Sequence, residues 1–148
     1  MNFLSHSTTN LPAAARAGHW NSVIAETYFP LQLTFRDAAA FNGRLEHQSL
    51  GDLSLSRLQT EPLQYERHPR HIAGTSEEQY LITIPRRSPV EFRQLGREVR
   101  CDPGSFIIER LPAGRSPIFE LMEVTAGPRW EGGIAGPRRR PRGTSVDH

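Results

Sequence analysis

Residues 90–108 have the sequence VEFRQLGREVRCDPGSFII, and this stretch predicts an antiparallel β hairpin followed by a third strand. If Leu95-Gly96 forms a two-residue loop, apolar side chains meet on one face and unlike charges meet on the other. The apolar pairs are Val90 with Cys101 and Phe92 with Val99, and the charged pairs are Glu91 with Arg100 and Arg93 with Glu98. A slip of one residue would destroy both matches, so the register is well specified. Asp102-Pro103-Gly104 then turns the chain into a further extended run, residues 105–109.

The rest of the chain continues this β pattern after one helix. Trp20, Val23, Ile24 and Tyr28 recur at helical spacing, which predicts a helix over residues 19–28. Alternating or short apolar runs predict further strands at 31–35, 45–49, 53–60, 63–68, 80–84 and 117–124. With the hairpin and the run at 105–109, the total is about eight or nine strands. Sheets of this kind close as a sandwich, jelly roll or barrel.

Charge and composition divide the chain into a body and two tails. Residues 1–124 carry 13 arginines against 14 acidic side chains, whereas residues 125–148 carry 5 arginines against 2. The nearly neutral body argues against a nucleic-acid-binding surface. Residues 1–17 are predicted to be a flexible leader, and the Gly-, Pro- and Arg-rich residues 125–148 a disordered tail. The foldable region is therefore expected over residues 18–124.

The single cysteine, Cys101, excludes an internal disulfide and is predicted to be a small buried side chain on the apolar face of the hairpin. The sequence contains no run of apolar residues long enough to cross a membrane, and it begins with no signal peptide. A soluble cytoplasmic protein without membrane partners is the expectation.

Catalytic motifs are weak. His68 and His71 are the most metal-like pair, with His47 upstream, but on a strand two residues three positions apart would diverge. No nucleophile elbow and no phosphate-binding glycine loop is found. We therefore expect no catalytic residue, no metal and no cofactor. A small metal-dependent enzyme using His47, His68 and His71 remains the alternative.

Five blocks occur in an order that resembles a known family. They are GHWNSVIAETYFPL at 18–31, LGDLSLSRL at 50–58, RHPRHIA at 67–73, YLITI at 80–84 and GREVRCDPGSF at 96–106. Together they resemble the N-terminal ligand-binding domain of AraC-type bacterial transcription regulators, in the branch where a Trp-bearing helix precedes a cupin-like β barrel. The resemblance covers roughly residues 18–123.

The resemblance implies a mainly β, cupin-like jelly roll of about eight strands after one N-terminal helix. Such a domain binds a small-molecule effector and dimerises, with itself or with full-length AraC-type relatives. Because no helix-turn-helix pattern follows Val124, we expect a regulator truncated before its DNA-binding domain, with no direct sequence-specific DNA binding. The candidate ligand-binding residues are Arg57, Tyr65, His71 and Tyr80. An interaction module that pairs with full-length relatives is a further alternative.

Overall fold

The computed structural model describes residues 3–28, 30–68, 79–94, 96–111 and 122–137, and within them the chain forms one α helix and eleven strands. Helix α1 spans Ala13–Thr27, and a short 3-10 helix spans Ala38–Ala40. The strands are β1 Phe3–Ser7, β2 Gln32–Phe35, β3 Gly43–Leu50, β4 Leu53–Thr60, β5 Leu63–Arg67, β6 Gln79–Arg87, β7 Val90–Gln94, β8 Arg97–Cys101, β9 Ile107–Leu111, β10 Met122–Ala126 and β11 Trp130–Pro137.

The strands form two antiparallel sheets. One sheet has the order β1-β3-β4-β11-β6-β9, and the other has the order β2-β5-β10-β7-β8. Both sheets turn an alternating set of side chains toward a shared interior, as the sequence predicts for a cupin-like jelly roll. The mainly β fold class is confirmed.

The β7–β8 hairpin has the predicted register. Val90 lies opposite Cys101 and Phe92 opposite Val99, and Gly96 adopts the positive φ of 69° that glycine tolerates in a tight turn. Val90 and Cys101 are buried, which confirms the predicted environment of the cysteine. Local side-chain pairing was therefore sufficient to specify this part of the sheet.

Trp20 of α1 is the centre of the interior and has no exposed surface. Its ring packs 5.8 Å from that of Phe41, measured between centroids, and lies against Gly43 of β3. A Cβ added at Gly43 would lie 2.9 Å from the Trp20 ring, so glycine is required for this contact. The helix begins at Ala13, six residues before the predicted start, and its buried face is Trp20, Val23 and Ile24.

The prediction of a flexible leader over residues 1–17 is wrong for most of that segment. Phe3–Ser7 pairs along its whole length with β3, and the hydroxyl of Thr8 lies within hydrogen-bond distance of the Asn42 side chain and the Gly43 backbone. The sequence gives little sign of this strand because it is short and at the sheet edge. Backbone pairing supplies what its side chains do not.

The prediction of a disordered tail over residues 125–148 is wrong where the structure describes it. Trp130–Pro137 is an internal strand that pairs with β4 on one side and β6 on the other. Its glycines reflect close packing, because a Cβ at Gly132 would lie 2.5 Å from the Trp130 ring. Composition alone suggested disorder because glycine usually weakens strands. Residues 138–148 lie outside the described part.

Strand β4 alternates as predicted, but its polar side faces inward. Ser54, Ser56, Leu58 and Thr60 are buried, whereas Leu53 and Leu55 are 61% and 44% exposed. The outer face of the six-stranded sheet is consequently apolar over much of its area. The predicted strand at 117–124 is described only from Met122, and the segments 69–78 and 112–121 lie outside the described residues.

Candidate functional site

A cavity of about 80 Å³ lies between the two sheets. Helix α1, its C-terminal flank and strands from both sheets contribute to its wall, so a molecule inside would contact every layer of the fold. The lining residues are Ile24, Tyr28, Leu31, Leu58, Tyr65, Leu81, Thr83, Val90, Glu109, Val124, Ala126, Trp130 and Ile134. Apolar walls with a few polar groups are typical of small-molecule sites.

Glu109 is the acidic group of this cavity. It lies on β9 on the same side as Ile107, and Thr83 Oγ1 donates a hydrogen bond to its Oε1 atom over 3.4 Å. Burial raises the pKa of Glu109 to about 7, and the Thr83 hydrogen bond and the charge of Arg67 partly offset this rise. The carboxyl can therefore exist in either protonation state near neutral pH.

Two tyrosines add hydroxyl groups to the wall. Trp20 Nε1 donates a hydrogen bond to Tyr65 Oη over 3.4 Å, which fixes the Tyr65 ring against the helix. Burial raises the pKa of Tyr65 to about 12, and it raises the pKa of Tyr28 further. Both phenols are therefore neutral at physiological pH and act as hydrogen-bonding groups without charge.

Of the four predicted ligand-binding residues, the structure describes Arg57, Tyr65 and Tyr80, and it does not bring these three together. Tyr65 lines the cavity. Arg57 points outward from β4 and forms an ion pair with Glu131 at 2.8 Å, and Tyr80 is 55% exposed on β6. His71 lies outside the described residues. Alternation puts Arg57 on the same face of β4 as Leu55, and that face points outward.

Glu109 was missed by the sequence reasoning. Alternation along the predicted extended run 105–109 places Glu109 on the same side as Ile107. An acidic residue on the same strand face as an apolar one is a usable indication of a buried carboxyl. The sequence reasoning passed over this acid because, unlike the histidines, it belongs to no recognised spacing of metal ligands or catalytic groups.

A second, open concavity of about 520 Å³ lies at one end of the six-stranded sheet. It is lined mainly by polar and charged side chains, and Trp130 separates it from the cavity. The charged members are Arg44, Glu61, Arg87, Arg129 and Glu131. Their mixed signs give no single preferred charge for a ligand, so this groove is the weaker candidate.

Two of the three histidines in the metal alternative, His47 and His68, have other contacts, and His71 lies outside the described residues. His47 Nδ1 lies 2.7 Å from Ser56 Oγ, and His68 Nε2 lies 2.8 Å from Glu66 Oε2. Within the described segments, no group of three or more His, Cys, Asp or Glu side chains is placed to hold a metal ion. None of the described helices is long and apolar enough to cross a membrane.

The fold has two β sheets, a helix whose tryptophan is buried, and an interior cavity. These features fit the family that the sequence resembles. The sequence model of the AraC-binding-like domain family matches residues 20–111. The chain belongs to this family. Helix α1 from Trp20 onward and strands β2 to β9 lie within the match, so it covers most of the cavity wall, including Tyr65 and Glu109.

This AraC-binding-like domain is similar to parts of two longer proteins. The crystal structure of the AraC-like transcriptional activator CuxR superposes with a TM-score of 0.71 at 16% identity, over 93% of this chain and 47% of that one. An uncharacterized protein in the nit 5′ region of Bacillus sp. (strain OxB-1) is 25% identical over 101 residues, which are 68% of this chain and 39% of the relative. The chain spans less than half the length of either relative.

Proposed function

We propose that this domain senses a small-molecule effector, which binds in the cavity between the two sheets, for an AraC-type transcription regulator. Family membership makes the chain a regulator's ligand-binding domain at the coarse level. The observation that carries the finer proposal is the cavity itself, an apolar space whose lining includes Glu109 and Tyr65. A cytoplasmic location stays a prediction from the sequence.

The position of the cavity gives a physical route from binding to regulation. A ligand there touches Ile24 of α1, Leu58 of the six-stranded sheet and Val124 of the five-stranded sheet. It therefore stabilises the packing of helix and sheets as one unit, by RT ln(1 + [L]/Kd) relative to the unfolded chain. A partner that contacts α1 or either sheet would respond to the same equilibrium.

Ligand screening by thermal shift, followed by protein-observed NMR titration, tests the site. Ala126 lines the cavity and is 3% exposed, so Ala126→Val and Ala126→Leu should reduce the volume and weaken every cavity ligand. Ala40→Leu, a matched enlargement at an exposed position of the 3-10 helix, should leave binding unchanged. All three variants must show a cooperative melt. Hits that survive Ala126→Leu but disappear with Arg87→Ala would place binding in the open groove and overturn the proposal.

We also propose that two copies pair through the outer face of the six-stranded sheet. Six residues in register, one from each strand, cross that face, and five of them are apolar: Phe3, Gln48, Leu55, Ala135, Ile82 and Ile108. The Phe3, Leu55 and Ile108 side chains are 61%, 44% and 57% exposed. Several large exposed apolar side chains on one face of a sheet are typical of a protein–protein interface.

The charges beside this row suit a second copy of the same chain. The ion pairs Arg44–Glu46 and Arg57–Glu131, each at 2.8 Å, border it and contain both signs. Two identical faces related by a two-fold axis can therefore meet without net like-charge repulsion. A full-length relative with a similar face would pair in the same way.

Light scattering after size-exclusion chromatography tests the pairing. We expect a dimer for the unmodified chain and a monomer for Leu55→Arg with Ile108→Arg. Val99→Arg is the control, because Val99 is 49% exposed on the other sheet and its replacement should leave the dimer intact. A standard protein–protein interface buries about 800 Å² per partner, and an interface of that size should hold two copies together at about 100 μM. A monomer of the unmodified chain at that concentration would refute this interface.

Catalysis is the alternative that the sequence left open, with a metal at His47, His68 and His71. The proposal here is binding without turnover. Elemental analysis of the purified protein distinguishes the two, since stoichiometric zinc or iron that is lost with His47→Ala or His68→Ala would favour the enzyme.

A further inference from the structure

The charge inventory of the cavity wall is one-sided. Glu109 is the one lining residue among those described whose side chain can carry a charge near neutral pH, since Tyr28 and Tyr65 are neutral phenols. Arg67 acts on the Glu109 carboxyl through its charge but does not line the cavity. The potential that a guest meets inside is therefore set mainly by an acidic group.

A carboxylate in such surroundings is costly unless it has a counter-charge or strong donors. Thr83 supplies one donor at 3.4 Å, which is a long hydrogen bond for a hydroxyl. The charge of Arg67 compensates the carboxylate only in part, since the pKa of Glu109 is still raised to about 7. A guest that brings a positive charge and several N–H donors compensates the desolvation of the carboxylate that burial imposes. A guest with its own carboxylate would place two like charges in one apolar space.

The size of the space limits the rest of the guest. An apolar cavity of about 150 Å³ holds benzene, so about 80 Å³ accommodates roughly half as much, or three to four heavy atoms, before the walls move. The walls away from Glu109 are aliphatic and aromatic, formed by residues such as Leu58, Val124 and Ile134. They favour a hydrocarbon chain.

We propose that the cavity binds a small primary alkylammonium ion, with the ammonium group against the Glu109 carboxylate and the alkyl chain among the apolar side chains. This inference rests on the proposed function, because it names the ligand class of the same cavity. Tyr28 and Tyr65 line the same wall, and a phenol oxygen is an acceptor that N–H groups can use. Neutral alcohols of the same length fit the space but provide one donor and no charge.

The experiment compares three probes of similar length by NMR titration of the full chain at pH 8: n-propylamine, propan-1-ol and propionate. We expect the amine to bind about tenfold more tightly than the alcohol, as a charge-assisted hydrogen bond provides, and propionate not to bind measurably. Glu109→Gln keeps the shape of the side chain and should reduce the amine preference to about onefold. Glu98→Gln removes an exposed carboxylate on the hairpin and should preserve the preference.

The outcomes separate this inference from the proposed function. Propan-1-ol that binds, and no longer binds after Ala126→Leu, would show that the cavity is a ligand site. The ammonium inference is then wrong if the amine binds no better than the alcohol, or if Glu109→Gln leaves the advantage of the amine intact. If neither these probes nor any hit of the wider thermal-shift screen perturbs cavity residues, the proposed site itself fails. An amine preference that Glu98→Gln abolishes would indicate surface charge attraction and would also overturn the inference.

Discussion

The indole nitrogen of Trp20 donates a hydrogen bond to the hydroxyl of Tyr65 over 3.4 Å, and this contact joins α1 to the five-stranded sheet at the wall of the cavity. Trp20 is fully buried, so its N–H has no access to water as a replacement partner. The bond therefore both satisfies a buried donor and holds Tyr65 in place beside the cavity.

Removing the acceptor should destabilise the protein. Tyr65→Phe leaves the Trp20 N–H buried without its partner, and we expect the free energy of unfolding to fall by about 1–3 kcal/mol. Chemical denaturation measures this. Tyr80→Phe is the control, because the Tyr80 side chain is 55% exposed and water can replace what its hydroxyl loses. Equal effects of the two changes would show that the Trp20 bond contributes nothing specific.

Strand β11 offers a matched pair of glycine substitutions. A Cβ at Gly132 would lie 2.5 Å from the Trp130 ring and 2.9 Å from the carbonyl oxygen of Ile84, whereas a Cβ at Gly133 would lie 3.6 Å from its nearest neighbour, the Ser56 carbonyl oxygen. Gly132→Ala should therefore lower stability by about 1–3 kcal/mol through overpacking, and Gly133→Ala by less than about 0.5 kcal/mol. Thermal melts of the two variants decide it. Similar melting temperatures would contradict the described packing of Trp130.

Glu109 should make stability depend on pH. Burial raises its pKa from an ordinary value of 4.5 to about 7, so the folded chain holds this proton more tightly than the unfolded chain does. The contribution to the free energy of unfolding is therefore fully present below about pH 4.5 and is lost as pH rises through about 7, by at most about 3 kcal/mol. The other ionisable groups facing this site are Arg67, Tyr28 and Tyr65, and all three keep their charge state over this range.

The Glu109→Gln variant isolates that contribution. His47 has a pKa lowered by burial and by His6, and the difference between the two proteins removes any effect of this histidine. We expect the variant to be more stable than the unmodified chain at pH 8, with the advantage shrinking toward pH 5. Parallel stability curves from pH 5 to pH 8 would show that Glu109 is hydrated in the folded state.

Cys101 should be unreactive in the folded protein. It is 4% exposed on β8, and burial, together with the nearby charge of Asp102, raises the pKa of its thiol. Because the thiolate is the reacting species, we expect a disulfide reagent at pH 8 to modify it at least about a hundredfold more slowly than in guanidinium. Fast labelling without loss of folded signal would mean that β8 separates locally from the sheet.

The parts of the fold that the sequence predicted are those specified by neighbours along the chain. The pairing of Phe92 with Val99 and the burial of Cys101 follow from a hairpin whose two faces both match, and Trp20, Val23 and Ile24 form the buried face of the helix at the predicted spacing. In these segments the local pattern and the tertiary structure agree.

The parts that it did not predict depend on residues far away in the chain. Gly132 can lie in an internal strand because β4 and β6 bond its neighbours on both sides, and nothing near it in sequence shows this. Likewise, alternation in β4 does not tell whether Ser56 or Leu55 faces inward, since the outer face of this sheet is apolar as well. The cavity role of Glu109 required knowing which strand lies opposite it.

The central place of β11 has a consequence for how the molecule assembles. Arg57 and Glu131, which meet across β4 and β11, are separated by 74 positions, so this half of the sheet has a high contact order. Until residues 130–137 have been synthesised, β4 and β6 each expose an unsatisfied backbone edge to any other nascent chain. We therefore expect the chain to reach its native fold late and slowly. Contacts between incomplete chains are then the main risk during folding.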